Sequence, residues 1–236
     1  MNVEFWNGSE SGVLRTPTLL LTACRAGLFG SRTEYPGGCV ENALFAYLSG
    51  APDRDFFRRN PELFVEKWLV CMSAEWEAFL REQPALNCVL LRRLMKPRRE
   101  ASTKTLKPLP DGYALSPFDI DAFSARPFGH GGNYRDFADF SARGFGAVVR
   151  FGGEIVASAS SFLTVGKDVE LDVSTAEEHR GKGLADHCVA AMLRDCAERG
   201  MTVHWDAQNT PSVRLAEGHG FEMEQEYAVY VLKDEK

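Results

Sequence analysis

The sequence predicts an α/β protein, an α+β arrangement built on a mixed sheet. Three observations predict it. Short apolar runs rich in β-branched and aromatic residues recur through the second half, separated by turn residues. Gly152-Gly153 joins two of them, FGAVVRF (145–151) and EIVASASSFLTV (154–165), as a two-residue hairpin turn. A helical stretch then stands between strands at 167–175 and 201–207, and a helix in that place implies a parallel crossover.

Taken in order, residues 1–95 read as a smaller N-terminal α/β domain, 96–111 as a linker and 112–236 as a second domain. TPTLLLTACRAG is a strand or a short buried helix. CVENALFAYLSG has apolar residues at mixed spacing and ends in Gly50. Asp53 is a helix-cap candidate. WLVCM (68–72) reads as a strand, and SAEWEAFLRE (73–82) as a short helix capped by Ser73. The basic run RRLMKPRR (92–99) reads as a solvated helix end or linker. Behind it, KPRREASTKTLKPLPD (96–111) has few bulky apolar residues.

In the second domain GYALSP (112–117) is a first strand, and 118–126 and 134–143 are short helices. The glycine-rich loop PFGHGGNY (127–134) separates them, with His130 a minor functional candidate. After the hairpin, KDVELDVST (167–175) completes a meander. The helix that follows shows one apolar face at 185, 189, 192, 193 and 196 and stops at Gly200. MTVHWDA (201–207), a short helix ended by Gly218 or Gly220, and FEMEQEYAVYVL (221–232) finish the chain.

Composition narrows the function classes. The 236 residues are 44% hydrophobic, enough for a packed core. No apolar run is long enough for a membrane span, and the first residues have no signal-peptide pattern, so a cytoplasmic protein is expected. Six cysteines at 24, 39, 71, 88, 188 and 196 form no C-x-x-C pair and read as reduced, mostly buried thiols. Five scattered histidines with no H-E-x-x-H predict no metal site. Residues 1–104 carry 14 Lys+Arg against 12 Asp+Glu, a net +2, and 105–236 carry 13 against 21, a net −8. An acidic half suits a small cationic partner better than nucleic acid. A homodimer is compatible with this reading.

The distinctive stretch is Arg180-Gly181-Lys182-Gly183-Leu184-Ala185, between a strand and a helix. Glycines weaken a helix start unless something must approach the backbone there. A helix N-terminus has free N–H groups and a partial positive charge, so bare glycines beside two cations suit a pyrophosphate. There is no Gly-Lys-Ser/Thr of a Walker A loop, and only two glycines fit the dinucleotide fingerprint.

This stretch resembles the Q/R-x-x-G-x-G/A motif of the GCN5-related N-acetyltransferase (GNAT) family, and it follows the fourth strand of its domain as in that family. WDAQNTPSVRLAEGHGF (205–221) resembles the family's second signature, an Asn, a short helix and Gly-Phe. Its Trp-Asp-Ala-x-Asn-x-x-Ser pattern is similar to one branch with an extra N-terminal α/β domain, to which ALFAYLSGAPDRDFF (43–57) bears a likeness. The resemblance covers roughly 105–236. It implies a GNAT-like fold and acetyl-CoA as co-substrate. It places Val173, Ser174 and Thr175 on the pantetheine arm, the N–H groups of 181–185 on the pyrophosphate with Arg180 and Lys182 beside it, and Asn209 and Ser212 along the arm. The family's usual general-acid Tyr falls at Ala216, which leaves Tyr227, Tyr230 and Ser174 as candidates.

Strand parity supplies the acceptor side. Glu170, Asp172 and Ser174 share one face of VELDVST, and His204 and Asp206 share a face of the next strand. Carboxylates are costly to bury unless paired or wet, so these strands are expected to open on a cleft. Glu170, Asp172, His204 and Asp206 are therefore the catalytic candidates, to draw in an ammonium and take its proton. The expected function is N-acetylation of a primary amine on a small molecule. Lysine or N-terminal acetylation of proteins, or a non-catalytic CoA-binding module, are the alternatives.

Overall fold

The computed structural model describes residues 3–6, 11–26, 33–35, 38–41, 44–99 and 104–234. Its elements are α1 (Leu19–Arg25), β1 (Thr33–Tyr35), β2 (Cys39–Glu41), β3 (Phe45–Leu48), α2 (Arg54–Arg59), β4 (Trp68–Cys71), α3 (Ala74–Arg81) and β5 (Leu86–Pro97). There follow β6 (Tyr113–Pro117), α4 (Ile120–Ala125), α5 (Phe137–Arg143), β7 (Gly146–Phe151), β8 (Glu154–Val165), β9 (Asp168–Thr175), α6 (Leu184–Arg199), β10 (Thr202–Ala207), α7 (Thr210–Gly218) and β11 (Phe221–Leu232).

Packing divides the chain into two units. The first holds residues 1–95, 206–213 and 223–236, and the second holds 96–205 and 214–222. The boundary near residue 95 falls where composition changes, but β11 returns to pack with the N-terminal residues. One expectation is corrected: 92–97 continue β5 as a strand rather than forming a helix end or linker. Arg92 and Arg93 therefore point to opposite faces, and each finds its own carboxylates. Arg92 binds Asp206, and Arg93 binds Glu4 and Glu226.

In the first unit β1, β2 and β3 are antiparallel neighbours, β3 and β4 pair in parallel, and β11 pairs antiparallel with β4. TPTLLLTACRAG resolves as a helix, α1, because the Thr18 hydroxyl accepts from the Leu21 N–H. Asp53 caps α2, and Ser73 caps α3 through the Trp76 N–H. The core joins Phe64, Leu69, Trp76, Leu80, Ala228 and Tyr230.

One carboxylate ties three segments of this unit together. Glu77, on α3, accepts from the Ser11 hydroxyl (2.6 Å), the Gly12 N–H (2.8 Å), Arg81 (2.9 Å) and the Tyr230 hydroxyl (2.8 Å). Gly12 must be bare: a Cβ there would lie 2.4 Å from that of Ala228.

The second unit orders its strands β10-β9-β8-β7-β6. All neighbours are antiparallel except β9 and β10, which are parallel, as the crossover through α6 requires. Gly152 and Gly153 have φ of 57° and 89°, the left-handed pair that a tight hairpin turn demands. On α6, Leu184, Cys188, Val189, Met192 and Cys196 are buried, one helical stripe that keeps 189, 192 and 196 of the expected face while Ala185 and Leu193 are only half-buried, and Gly200 ends the helix in a left-handed cap. Among the described residues no helix is long and apolar enough to cross a membrane.

Glu77 generates a stability prediction. Burial pushes its carboxyl up, but the bonds from Ser11, Gly12, Arg81 and Tyr230 outweigh this and bring it to about 2. Its unfolded value is near 4.5. A depressed folded pKa gives stability that is complete above 4.5 and is lost as pH falls toward 2. Glu77→Ala is expected to cost ~2–4 kcal/mol at neutral pH, since it leaves buried donors without an acceptor. Glu77→Gln should flatten the loss of stability between pH 4.5 and 2. Urea unfolding across pH measures both, and an unchanged acid limb in Glu77→Gln contradicts the assignment.

Candidate active site

β9 ends at Thr175, and one 3-10 turn, Glu177–His179, leads through 180–183 into α6. Gly181 and Gly183 have φ of 75° and 77°, a region that side chains disfavour. A Cβ built at either meets nothing within 4 Å, so the space before the helix is open. Gly183 is the N-cap and offers no capping side chain. The first-turn N–H groups thus have neither an intrahelical acceptor nor a cap. Arg180 Nε donates to the Thr175 carbonyl (3.3 Å) and Lys182 Nζ to the Glu178 carbonyl (2.7 Å), which keeps both cations against the turn. Open backbone donors, the helix dipole and two cations fit a pyrophosphate.

β9 itself is paired unequally. β8 lines it from Asp168 to Thr175. The ladder to β10 has three pairs and ends at Glu170–His204. From 171 to 175, which includes Val173, Ser174 and Thr175, the second backbone edge is left to other partners. Such an edge can take an extended amide-bearing arm as a strand takes its neighbour.

On the face carrying Asp172 and Ser174, four side chains gather around an imidazole. Ser158 stands directly opposite Ser174, and Ser160 opposite Asp172. His130, brought in by the loop between α4 and α5, lies over them, 1% exposed. Its Nδ1 is 2.8 Å from Ser158 Oγ and 3.1 Å from Ser160 Oγ. Its Nε2 is 3.3 Å from both Ser174 Oγ and Asp172 Oδ1. Asp172 is the outlet of the cluster, its side chain 36% exposed.

The other expected catalytic residues go elsewhere. Glu170 is 8% exposed, within the paired part of β9. His204 binds Asp168 Oδ1 at 2.8 Å, near the start of β9 and away from the cradle. Asp206 lies in the first unit, where Arg92 Nε and Nη2 hold its two oxygens at 3.2 and 3.0 Å and the Tyr227 hydroxyl donates to it at 2.6 Å. His204 and Asp206 thus have partners of their own, Asp168 for the first and Arg92 with Tyr227 for the second. Asn209 accepts from the Ser212 N–H at 2.9 Å, a helix-capping bond at the start of α7. Ala216 is buried. Tyr227 and Tyr230 are also buried, and each donates to a carboxylate. Burial, and then the Asp206 charge, pushes the Tyr227 hydroxyl well up, so neither tyrosine suits a proton donor at a cleft.

Sequence reasoning gave His130 little weight and missed two features. The hub at His130 had a signal in the buried serines at 158 and 160, which share strand parity. The carboxylate of Asp186, in the first turn of α6, is bound by Lys104 and by His219 Nε2, and nothing in the spacing announced that. Among the described residues no group of three His, Cys, Asp or Glu is placed to hold a metal ion.

The sequence model of the family described as GNAT acetyltransferase matches residues 31–230. The chain belongs to this family. The match includes most of the N-terminal residues as well as the cradle. A relative in Bacillus subtilis (strain 168), an uncharacterized N-acetyltransferase named YdfB, is 30% identical over 169 residues. That alignment covers 69% of this chain, and the chain spans 64% of the relative's length. A GCN5-related N-acetyltransferase-like protein of Streptococcus suis 89/1591 superposes with a TM-score of 0.75 at 25% identity, covering 90% of this chain and 93% of that one. A GCN5-related N-acetyltransferase of Kribbella flavida has the same fold, with a TM-score of 0.60 at 16% identity over 89% and 93% of the two chains.

The divided fates of His204 and Asp206 are testable. Asp206→Asn removes the charge opposite Arg92, both side chains being 12% exposed, and is expected to cost ~2–4 kcal/mol. His204→Ala breaks a half-exposed pair and should cost no more than ~1 kcal/mol. Denaturant unfolding compares them, and equal losses contradict the structural role of Asp206.

Proposed function

We propose that this GNAT-family chain is an acetyl-CoA-dependent N-acetyltransferase acting on the primary amine of a small molecule. The observation that carries the reading is the uncapped, glycine-lined N-terminus of α6 beside the half-paired edge of β9. Backbone groups of Val173, Ser174 and Thr175 hold the pantetheine arm, and the N–H groups of 181–185 hold the pyrophosphate between Arg180 and Lys182. Acetyl-CoA supplies a thioester whose acyl carbon gains a bond to nitrogen as its bond to sulfur breaks, leaving an amide and a free thiol.

The chain's own residues manage position and protons. An amine arrives mostly as ammonium, and it has no lone pair until a proton leaves. Asp172 is the carboxylate on this face that solvent reaches, so it attracts the cation and takes that proton. With Tyr227 and Tyr230 buried, Ser174 is the hydroxyl on this face that can donate a hydrogen bond to the leaving thiolate, which takes its proton from solvent. The six thiols are free, and five are buried, with Cys39 and Cys188 pushed up to about 12 by burial. Such thiols suit a reducing compartment, and a cytoplasmic location is part of the proposal.

Two glycines of α6 separate the cradle from backbone strain. Gly183 and Gly200 cap the two ends of the helix, both in the left-handed region and both with open space around them. Gly183→Ala is expected to weaken acetyl-CoA binding by at least about tenfold, while Gly200→Ala, which imposes comparable strain, leaves it unchanged. Calorimetry with the purified variants measures this, and equal affinities in the two would sink the cradle. Asp172→Asn should lower kcat by ~10²–10⁴-fold at unchanged acetyl-CoA affinity, followed by thiol release over a panel of amines.

A further inference from the structure

The geometry points to His130 as a positioning residue that holds Asp172 as the amine base. This rests on the proposed role of Asp172.

A buried imidazole needs partners on both nitrogens, and their chemistry decides which nitrogen carries the proton. An ionised carboxylate only accepts, so Nε2, which faces Asp172, carries the hydrogen. Nδ1 is then bare and accepts from the Ser158 hydroxyl, with Ser160 as the alternative donor. The line runs from a buried hydroxyl through the ring to an exposed carboxylate. It lets Asp172 be reached from solvent without swinging between rotamers.

The surroundings over-determine the ring. Phe118 lies nearly parallel to it at 6.5 Å between centroids, and Phe128 meets it edge-on at 6.1 Å. The loop that delivers it holds Arg126 and Phe128 at φ of 44° and 58°. Non-glycine residues in that region carry strain, which persists only where surrounding structure imposes it. An apolar residue at 130 would fill the same space with no polar partner to satisfy, and the two serines would not need to be polar. The charged group touching the ring is Asp172, with Glu170 next on the same face of β9. β8 presents serines, and the 118–128 segment presents phenylalanines.

The test combines a spectrum with kinetics on the full chain saturated with acetyl-CoA. Long-range proton–nitrogen spectra of the His130 ring should show one tautomer, protonated at Nε2, and Asp172→Ala, which removes the acceptor, should abolish that fixed preference. With 2-phenylethylamine and spermidine as probe amines, His130→Phe should lower kcat by ~10–100-fold, the usual scale for a residue that orients a reacting group. Acetyl-CoA affinity should not change, and KM for the amine should change by less than about threefold. His130→Gln keeps one donor and one acceptor and should recover part of the rate. A ring protonated at Nδ1, or full kcat in His130→Phe, overturns the proposal. If the wild-type chain binds acetyl-CoA but releases no thiol with either amine, the proposed activity toward such amines fails. The spectrum then decides the positioning role alone: an Nε2–H preference that survives Asp172→Ala overturns it, and its loss upholds it.

Discussion

β9 is bound on both edges as far as Glu170 and on one edge from there to Thr175. That inequality organises the second unit. Full pairing with β8 fixes the strand, and early release from β10 leaves backbone donors and acceptors in need of partners. Directly beyond the free segment the chain turns through 180–183 and starts α6, whose first N–H groups are also without acceptors. A strand edge unpaired by β10, with its last carbonyl held by Arg180, and a helix end without a side-chain cap lie in succession. A ligand with an amide-bearing arm and a pyrophosphate can satisfy both.

The same pairing that frees one edge fixes the other side of the chemistry. Opposing residues on antiparallel strands come within reach of one group, so Ser158, Ser160, Asp172 and Ser174 form a small polar floor. Polar side chains in such a place are costly unless each has a partner. His130 supplies partners from above, with two nitrogens serving four oxygens. In a poorly polarisable interior these bonds are stronger than in water, and the carboxylate at the edge inherits that order.

Much of this was legible in the sequence. The glycine pairs at 152–153 and 181–183, the apolar stripe of α6 and the caps at Asp53, Ser73 and Gly200 are local signals, and they decide local structure. β5 was not legible, because KPRR reads as a solvated linker by composition. Only its partners on distant strands turn Arg92 and Arg93 into strand residues. The surroundings of the expected acidic face were legible only in part, for a related reason. Parity puts His204 and Asp206 on one side of β10, but parity cannot tell that Arg92, 114 residues earlier, occupies the Asp206 carboxylate. Likewise the loop 127–134 announces flexibility by its glycines, while its one histidine is among the most buried polar residues described.

The first unit carries a consequence for how the N-terminal residues relate to the rest. β11 belongs to it, and Tyr227, Ala228, Val229, Tyr230 and Leu232 are all buried there. Glu77 and Arg92 reach from the N-terminal segment to Tyr230 and Asp206, which close the chain's last two strands. Burying a side chain of the size of Val229 or Leu232 is worth ~1.5–3 kcal/mol, so this strand is a main contributor to the core of the unit. The N-terminal residues are therefore structural partners of the C-terminal strands rather than an appendage. Its contacts also explain why the carboxylates of Asp206 and Glu77 are poor candidates for chemistry: both are already spent on holding β10 and β11 in register with residues from the other end of the sequence. Asp172, by contrast, belongs to the second unit, where His130 Nε2 is 3.3 Å from Oδ1 and the side chain keeps 36% exposure.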